Sequence, residues 1–367
     1  MKTELSALTG ARGLAAWFVV LYHLRGAMTL PYGVLAVLAK GYLAVDFFFL
    51  LSGFVIWITY VEQIRLARWQ AVPTFLLRRV ARIWPLHLAM LTFAVMIAAM
   101  LSLTGHPPDP RFPFLQLPAH ILLLQNWPIV VQRFGITSLD WNDPAWSISS
   151  EMFAYLLFPL IVMAVDWRRV PTVVLLAVIA ATVALLSHVM TSRGVHHLGD
   201  AIPYFGQVRC ITEFVCGTVT GALWLRYRDR PRVPIIASAA VAITAFSAFA
   251  TGVCGEIASI PVALAGVLLV LALTSGVAHN PLGGRILHYL GEISFATYLS
   301  HSLLWKAFRL AFVRTTGPES PIMLALFLAI VLGTSILLYH LLERPAQGWL
   351  NRLPARWRPG SADVQGH

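Results

Sequence analysis

Charged residues and cysteines are both scarce in this chain. Asp, Glu, Lys and Arg together make up 12% of the 367 residues, whereas hydrophobic residues make up 58%. A soluble domain carries about twice that share of charge, so this composition excludes an ordinary soluble globular protein and favours a membrane protein. The three cysteines show neither CxxC spacing nor a paired histidine motif, which argues against a disulfide framework and a zinc site.

Three further features are missing. No internal repeat is visible, which weakens an interpretation as a secondary transporter, a class often built from paired halves. No cleavage site follows the first apolar run, so we take that run as an uncleaved first helix. No stretch is long enough to fold as a separate globular unit. We therefore predict one membrane domain over residues 1–350, followed by a short, disordered cytoplasmic tail over residues 351–367.

Apolar runs of about 20 residues recur along the chain and predict an all-α, polytopic membrane bundle. With the N-terminus in the cytoplasm, an even number of spans places the C-terminus there too. Twice as many of the 27 Lys and Arg residues then lie inside as outside, as the positive-inside rule requires. The ten predicted helices cover residues 8–29, 41–60, 82–103, 144–165, 171–190, 208–226, 233–252, 257–276, 286–311 and 321–342.

The net charge of +11 comes from short arginine clusters between the apolar runs. We attribute this charge to topology and expect no nucleic-acid partner. The proline-rich segment 104–143 separates the third and fourth predicted helices, and its stretch HILLLQNWPIV, residues 120–130, is too short to span a membrane. We expect this stretch to be re-entrant or to lie in the interface, where it covers the outer face.

The first predicted helix carries an arginine at its start and a histidine deep within it, in the segment RGLAAWFVVLYH. Arg12 and His23 are 11 positions apart, which in an α-helix is about 20° beyond three full turns and about 16 Å of rise. The two side chains therefore share one face. Arg12 is expected at the inner boundary of the membrane and His23 beyond its midplane.

Two carboxyl groups on other helices are predicted at nearly the depth of His23. Asp46 on the second helix and Glu151 on the fourth lie about 8 and 11 Å below the outer surface, compared with about 12 Å for His23. Titratable groups at this depth are costly, so each needs a partner or a watery cavity. An imidazole held by a carboxylate can act as a general base. The alternative is that these groups only tie helices together by hydrogen bonds.

Three arginines of the segment FLLRRVARIWPLH lie just inside the membrane. Arg79 and Arg82 share one helical face, Arg78 is adjacent, and Arg12 is expected at the same level. Four guanidinium groups together can grip the phosphates of a nucleotide-bearing cofactor. Lipid headgroups of the inner leaflet also attract such clusters, which leaves a second interpretation open.

The candidate acceptor-binding residues are Tyr298, His301 and Trp146. Tyr298 and His301 are one turn apart in the outer half of the ninth predicted helix, and Trp146 lies near the outer end of the fourth. A lone histidine at such a position is also commonly a hydrogen-bonded packing residue. Glu343, at the end of the tenth helix, is expected to form an ion pair with the inner arginines.

Six segments occur in the order and spacing of the membrane acyltransferase 3 family, and the chain resembles that family over residues 5–347. The family contains O-acetylases of bacterial surface polysaccharides and of some secondary metabolites. The resemblance implies a ten-helix enzyme that passes an acyl group, most commonly acetyl, from cytosolic acyl-coenzyme A to a hydroxyl. The matching segments are RGLAAWFVVLYH, GYLAVDFFFLLSGFVI, RRVARIWPLH, WSISSEMFAY, GEISFATYLSH and ERP.

The resemblance also implies roles for individual residues. Arg12 and His23 match the family's arginine and essential histidine. Arg79 and Arg82 match its RxxR pair. Glu151 matches the first glutamate of a WSLxxEE-like block, although this chain has methionine where a second acid is common.

We therefore expect an integral membrane O-acyltransferase in the inner membrane of a bacterium. Its donor is acyl-coenzyme A, whose phosphates the arginines hold, and it needs no tightly bound cofactor and no metal. His23 either acts as a general base, supported by Glu151 and Asp46, or is itself acylated. The expected acceptor is a glycan or lipid-linked glycan of a cell-surface or exopolysaccharide precursor, and membrane lipids are the other expected partner.

Three alternatives stay open on the sequence alone. The acceptor could be a small hydrophobic metabolite or a lipid. A proton-coupled transporter also uses His, Asp and Glu at one depth, but it does not explain the arginines beneath the histidine. A non-catalytic scaffold of a polysaccharide-assembly complex predicts that Arg12, His23 and Glu151 can each be replaced without effect. The sequence does not decide the oligomeric state.

Overall fold

The computed structural model describes residues 5–105, 111–136, 139–276, 280–312 and 317–352, and every regular element in these ranges is helical. The ten longest helices fall on the ten predicted runs, which confirms the all-α fold class. They are α1 (Ser6–Leu24), α2 (Ala44–Ala67), α3 (Val72–Leu103), α4 (Ala145–Ala164), α5 (Thr172–Thr191), α6 (Ile202–Tyr227), α7 (Arg232–Ala250), α8 (Glu256–Thr274), α9 (Ser294–Phe312) and α10 (Pro321–Leu338).

Eight helical stretches of the described residues are long and apolar enough to cross a membrane. One of them, Tyr32–Leu103, contains both α2 and α3, and α9 does not belong to the eight. The number of ten crossings and the cytoplasmic position of both chain ends therefore stay predictions. The tail and the domain boundary at residue 350 also stay predictions, because residues 353–367 lie outside the described part of the chain.

Helices α2 and α6 pack against each other at the centre of the bundle through two glycines. A Cβ atom on Gly53 would lie 2.0 Å from the carbonyl oxygen of Phe214, and one on Gly217 would lie 2.0 Å from that of Leu50. Only glycine leaves room for such close backbones, as is common at helix interfaces in membranes. The two helices therefore form a fixed frame beside the candidate site.

The predicted ninth helix, 286–311, is broken in the structure. A short helix, Arg285–Glu292, ends one residue before α9, with Ile293 between them. A Cβ on Gly291 would lie 1.9 Å from the carbonyl oxygen of Thr9, so the short helix lies directly on α1. At the break, the Gly291 carbonyl accepts hydrogen bonds from the Arg12 guanidinium and from the Ser294 hydroxyl, the latter at 2.8 Å. The break thus anchors one of the inner arginines.

The segment between α3 and α4 enters the bundle. The Trp84 indole donates a hydrogen bond to the carbonyl of Ile121 (2.7 Å), and the Asn126 amide donates to the Ser150 hydroxyl (2.6 Å). Trp84 lies about 28 Å along the axis from the last residue of α3, at 1.5 Å per residue. These contacts favour the re-entrant interpretation, which stays a prediction, as do the number of crossings and the side on which each helix end lies.

Candidate active site

Three cavities follow one another along the bundle, and the same basic side chains connect the inner two. We call them the inner mouth (about 430 Å³), the central cavity (about 170 Å³) and the outer cavity (about 530 Å³). Arg12, Arg79 and Arg82 line both the inner mouth and the central cavity. His23 and His301 line the outer cavity. Arg12 and His23, which were predicted on one face of α1, therefore line different cavities along the bundle.

The three arginines are held in place but keep free donors. Arg12 donates from Nε and Nη2 to the Gly291 carbonyl, at 3.0 and 2.5 Å. Arg79 donates from Nη2 to the Tyr60 hydroxyl at 2.9 Å. Arg82 forms an ion pair with a carboxylate, described below. Within the described part of the chain, these bonds use at most two of the five N–H groups that each guanidinium carries, so donors remain for an anionic ligand.

Arg82 pairs with Glu343, whose side chain is 1% exposed. The expected ion pair is therefore confirmed. Glu343 ends a π-helical stretch, Tyr339–Glu343, that continues α10, and such wider turns often occur at functional sites. Arg78, by contrast, is half-buried and lines none of the three cavities, because one position along a helix turns the side chain by about 100°. Sequence reasoning grouped Arg78 with the others, but the structure does not.

The central cavity contains a carboxylate at the level of two tyrosines. The Tyr155 hydroxyl donates to Glu151 Oε1 at 2.5 Å and lies 3.0 Å from the Ser52 hydroxyl. The Tyr298 hydroxyl lies 2.7 Å from the Ser147 hydroxyl. All five side chains line the cavity. Glu151 thus belongs to the same cavity as the arginines, whereas His23 faces the next one.

The outer cavity is built around two histidines from different helices. The imidazole rings of His23 on α1 and His301 on α9 are 4.9 Å apart, and His301 Nε2 lies 3.2 Å from His23 Nδ1. His301 Nδ1 lies 2.7 Å from the carbonyl oxygen of Tyr298. Because Tyr298 lines the central cavity and His301 the outer one, this turn of α9 borders both cavities.

These contacts determine which nitrogens carry protons when both rings are neutral. A carbonyl oxygen can only accept, so His301 Nδ1 must donate to Tyr298. His301 Nε2 is then the acceptor, and His23 Nδ1 donates to it while also lying 3.0 Å from the Val19 carbonyl. The lone pair of His23 is left on Nε2. Sequence reasoning expected a carboxylate to orient this ring, whereas the structure places His301 there.

Comparison with known proteins shows the family to which this chain belongs. A family model described as an acyltransferase domain matches residues 5–340. The chain belongs to the acyltransferase 3 family. It is therefore an enzyme that transfers acyl groups other than aminoacyl groups, and the family together with the apolar helices makes it a multi-pass membrane protein. This sets aside the transporter and scaffold alternatives.

Curated acyltransferase 3 relatives cover most of the chain. It is 30% identical to Acyltransferase MdmB of Streptomyces mycarofaciens, over 95% of this chain and 93% of the relative. It is 27% identical to Exopolysaccharide production protein ExoZ of Rhizobium meliloti, over 83% and 89% of the two chains. It is 26% identical to Peptidoglycan O-acetyltransferase OatA of Listeria monocytogenes, over 62% of this chain and 35% of the relative. No solved structure gives a significant match.

In this acyltransferase 3 chain, the structure places Asp46 away from His23. Arg209 donates from Nε and Nη2 to the two carboxylate oxygens of Asp46, at 2.5 Å each, and both side chains are at most 2% exposed. No hydrogen bond joins Asp46 or Glu151 to His23 among the described residues. The predicted group of one histidine and two acids is therefore not assembled through direct contacts.

Sequence reasoning missed Arg209 because it predicted the sixth helix to begin at residue 208. The helix begins at Ile202, which places Arg209 two turns inside it. Trp146, predicted to bind the acceptor, packs under the Arg209 guanidinium at 5.6 Å and lines none of the three cavities. Of the three predicted acceptor-binding residues, only His301 lines the outer cavity, while Tyr298 lines the central one.

Proposed function

We propose that this acyltransferase takes an acetyl group from cytosolic acetyl-coenzyme A and transfers it to a hydroxyl of a sugar in a cell-surface or exopolysaccharide precursor, in the inner membrane of a bacterium. The observation that carries the proposal is the order of the cavities. Three arginines line an inner mouth and the central cavity beyond it, and a histidine pair lines the outer cavity. Donor and acceptor can thus approach from opposite sides.

The donor fits the inner two cavities by charge and shape. Coenzyme A carries phosphates at one end and a thioester at the end of a long, thin arm. The free N–H groups of Arg12, Arg79 and Arg82 can hold the phosphates through charge-assisted hydrogen bonds. The arm then follows α1 through the narrow central cavity, and the thioester arrives beside Tyr298 and His301.

The chemistry requires a base, because the pKa of a sugar hydroxyl is far above neutrality. His23 Nε2 takes the hydroxyl proton as the oxygen attacks the thioester carbonyl. The carbon–sulfur bond breaks, the coenzyme A thiolate leaves, and the His23 imidazolium returns the proton to sulfur. His301 acts as a positioning residue, since its Nε2 accepts from His23 Nδ1 and keeps the reactive lone pair on the other nitrogen. A two-step route through acylated His23 uses the same free nitrogen.

The names of two relatives support a glycan acceptor. ExoZ is an exopolysaccharide production protein, and OatA is a peptidoglycan O-acetyltransferase. Both names concern polymers of sugars at or beyond the cell surface. An outer cavity of about 530 Å³ also falls within the usual size range of small-molecule sites.

Arg79 and Arg78 provide a matched test of the donor site. We expect Arg79→Gln to raise KM for acetyl-coenzyme A by about tenfold to a hundredfold, the equivalent of one charge-assisted hydrogen bond, with little change in kcat. Arg78→Gln, one position earlier and outside the cavities, should leave KM unchanged. Steady-state release of coenzyme A thiol by the purified variants measures both constants. Equal effects of the two substitutions on KM would show that the arginines bind lipid headgroups instead of the donor.

A further inference from the structure

The outer cavity is lined by more positive than negative side chains. Arg111, Lys306 and Arg309 contribute to its wall, and Asp143 is the acidic residue among the lining side chains. An excess of basic side chains is unexpected at this place in the predicted topology, because Lys and Arg are depleted on the outer side of a membrane. Topology therefore does not account for these charges.

The Asp143 carboxylate does not neutralise all the basic side chains of the outer cavity. Asp143 accepts a hydrogen bond from the Ser302 hydroxyl at 2.9 Å and lies 3.3 Å from Lys306 Nζ. Arg309 is exposed to the cavity and has no hydrogen-bond or ion-pair partner among the described residues. An exposed guanidinium without a partner inside a cavity is a suitable set of donors for an oxyanion, either a carboxylate or a phosphate.

The basic side chains have a fixed position relative to the histidine pair. His301, Lys306 and Arg309 all lie on α9 and all line the outer cavity. Lys306 is about 8 Å, and Arg309 about 12 Å, farther along the helix axis than His301. An acceptor whose hydroxyl meets His23 would thus bring these cations against a group about 8–12 Å from that hydroxyl.

We propose that the outer cavity recognises an acceptor that carries an oxyanion, a carboxylate or a phosphate, about 8–12 Å from the reacting hydroxyl. Lys306 and Arg309 bind this group and thereby select acidic acceptors over neutral ones. This inference rests on the proposed function, since it deepens the acceptor specificity of the same site. A uronic acid within the glycan and a phosphate attached to a sugar are the two sources of such a group.

The test measures binding, so that it does not depend on turnover. Purified protein in lipid nanodiscs is titrated with maltotetraose as neutral probe, tetragalacturonate as carboxylate probe and glucose 1-phosphate as phosphate probe, followed by tryptophan fluorescence, since Trp305 lines the cavity. We expect at least one anionic probe to bind about tenfold more tightly than the neutral one. The probe that shows this preference identifies the source of the oxyanion.

Arg309→Gln should abolish the preference for the anionic probe over the neutral one, and Arg309→Lys should retain part of that preference. Arg193→Gln, which alters an exposed arginine beyond α5, is the matched control and should change nothing. His23→Gln should keep the preference while losing acyl transfer, which separates failure of this inference from failure of the proposed function. Equal binding of neutral and anionic probes, no binding of either anionic probe, or a preference that survives Arg309→Gln would overturn the proposal.

Discussion

His23→Gln is expected to lower acyl transfer by at least the 10²–10⁴-fold that a positioned general base contributes, with the protein still inserted and folded. Glutamine fills similar space but offers no lone pair that can take a proton at neutral pH. The remaining cavities, including the arginines of the inner mouth, are unchanged. Donor binding should therefore persist, and the loss should appear in kcat.

The measurement is the rate at which labelled acetyl groups leave acetyl-coenzyme A, with thermal stability in detergent as the check on folding. His188→Gln is the matched control, because His188 is an exposed histidine on α5, outside the three cavities. That variant should retain full activity. Normal turnover by His23→Gln would refute the role given to this imidazole.

Replacing Asp46 and Glu213 together is expected to lower the free energy of unfolding by about 3–5 kcal/mol, the usual cost of leaving one partner of a buried ion pair alone. The double variant Asp46→Asn/Glu213→Gln leaves Arg209 buried without a carboxylate. Glu213 is included because it is a fully buried carboxyl group one helical turn after Arg209 on α6. Asp46→Asn alone should cost less, since Glu213 can serve as the counter-charge.

Thermal unfolding in detergent compares these variants, and Asp200→Asn, an exposed aspartate before α6, is the control that should behave as wild type. The same experiment separates two roles for Asp46. If Asp46 joins α2 to α6, stability falls and the remaining folded protein keeps its kcat. Unchanged stability with lost kcat would instead support the catalytic role predicted from sequence.

Helix positions and single-helix faces could be predicted from the sequence, because they follow from composition and from the 3.6-residue period. The ten longest helices lie where apolar runs lie. Arg12 lines the inner cavities and His23 the outer one, as expected for two positions on one face of α1. Arg79 and Arg82 are three positions apart and line the same cavity.

Contacts between helices could not be predicted in this way. His23 meets His301, 278 positions away, and Asp46 meets Arg209, 163 positions away, and no periodicity encodes such pairs. An equal predicted depth in the membrane is therefore not enough to predict a contact. It groups Asp46 with His23, whereas in the structure Asp46 pairs with Arg209 and His23 lies beside His301. The break at Ile293 is likewise decided by a tertiary contact, the fit of Gly291 against α1.

In the proposed reaction, an acyl group enters from the inner mouth and leaves from the outer cavity. Inverted vesicles from native membranes test it directly, because acetyl-coenzyme A added outside reaches only the inner mouth while native acceptors stay enclosed. We expect release of coenzyme A thiol outside the vesicles and recovery of labelled acetyl on enclosed glycan, and we expect His23→Gln to abolish both. Absence of thiol release, or label found only on acceptors added outside, would contradict transfer from the inner mouth to the outer cavity.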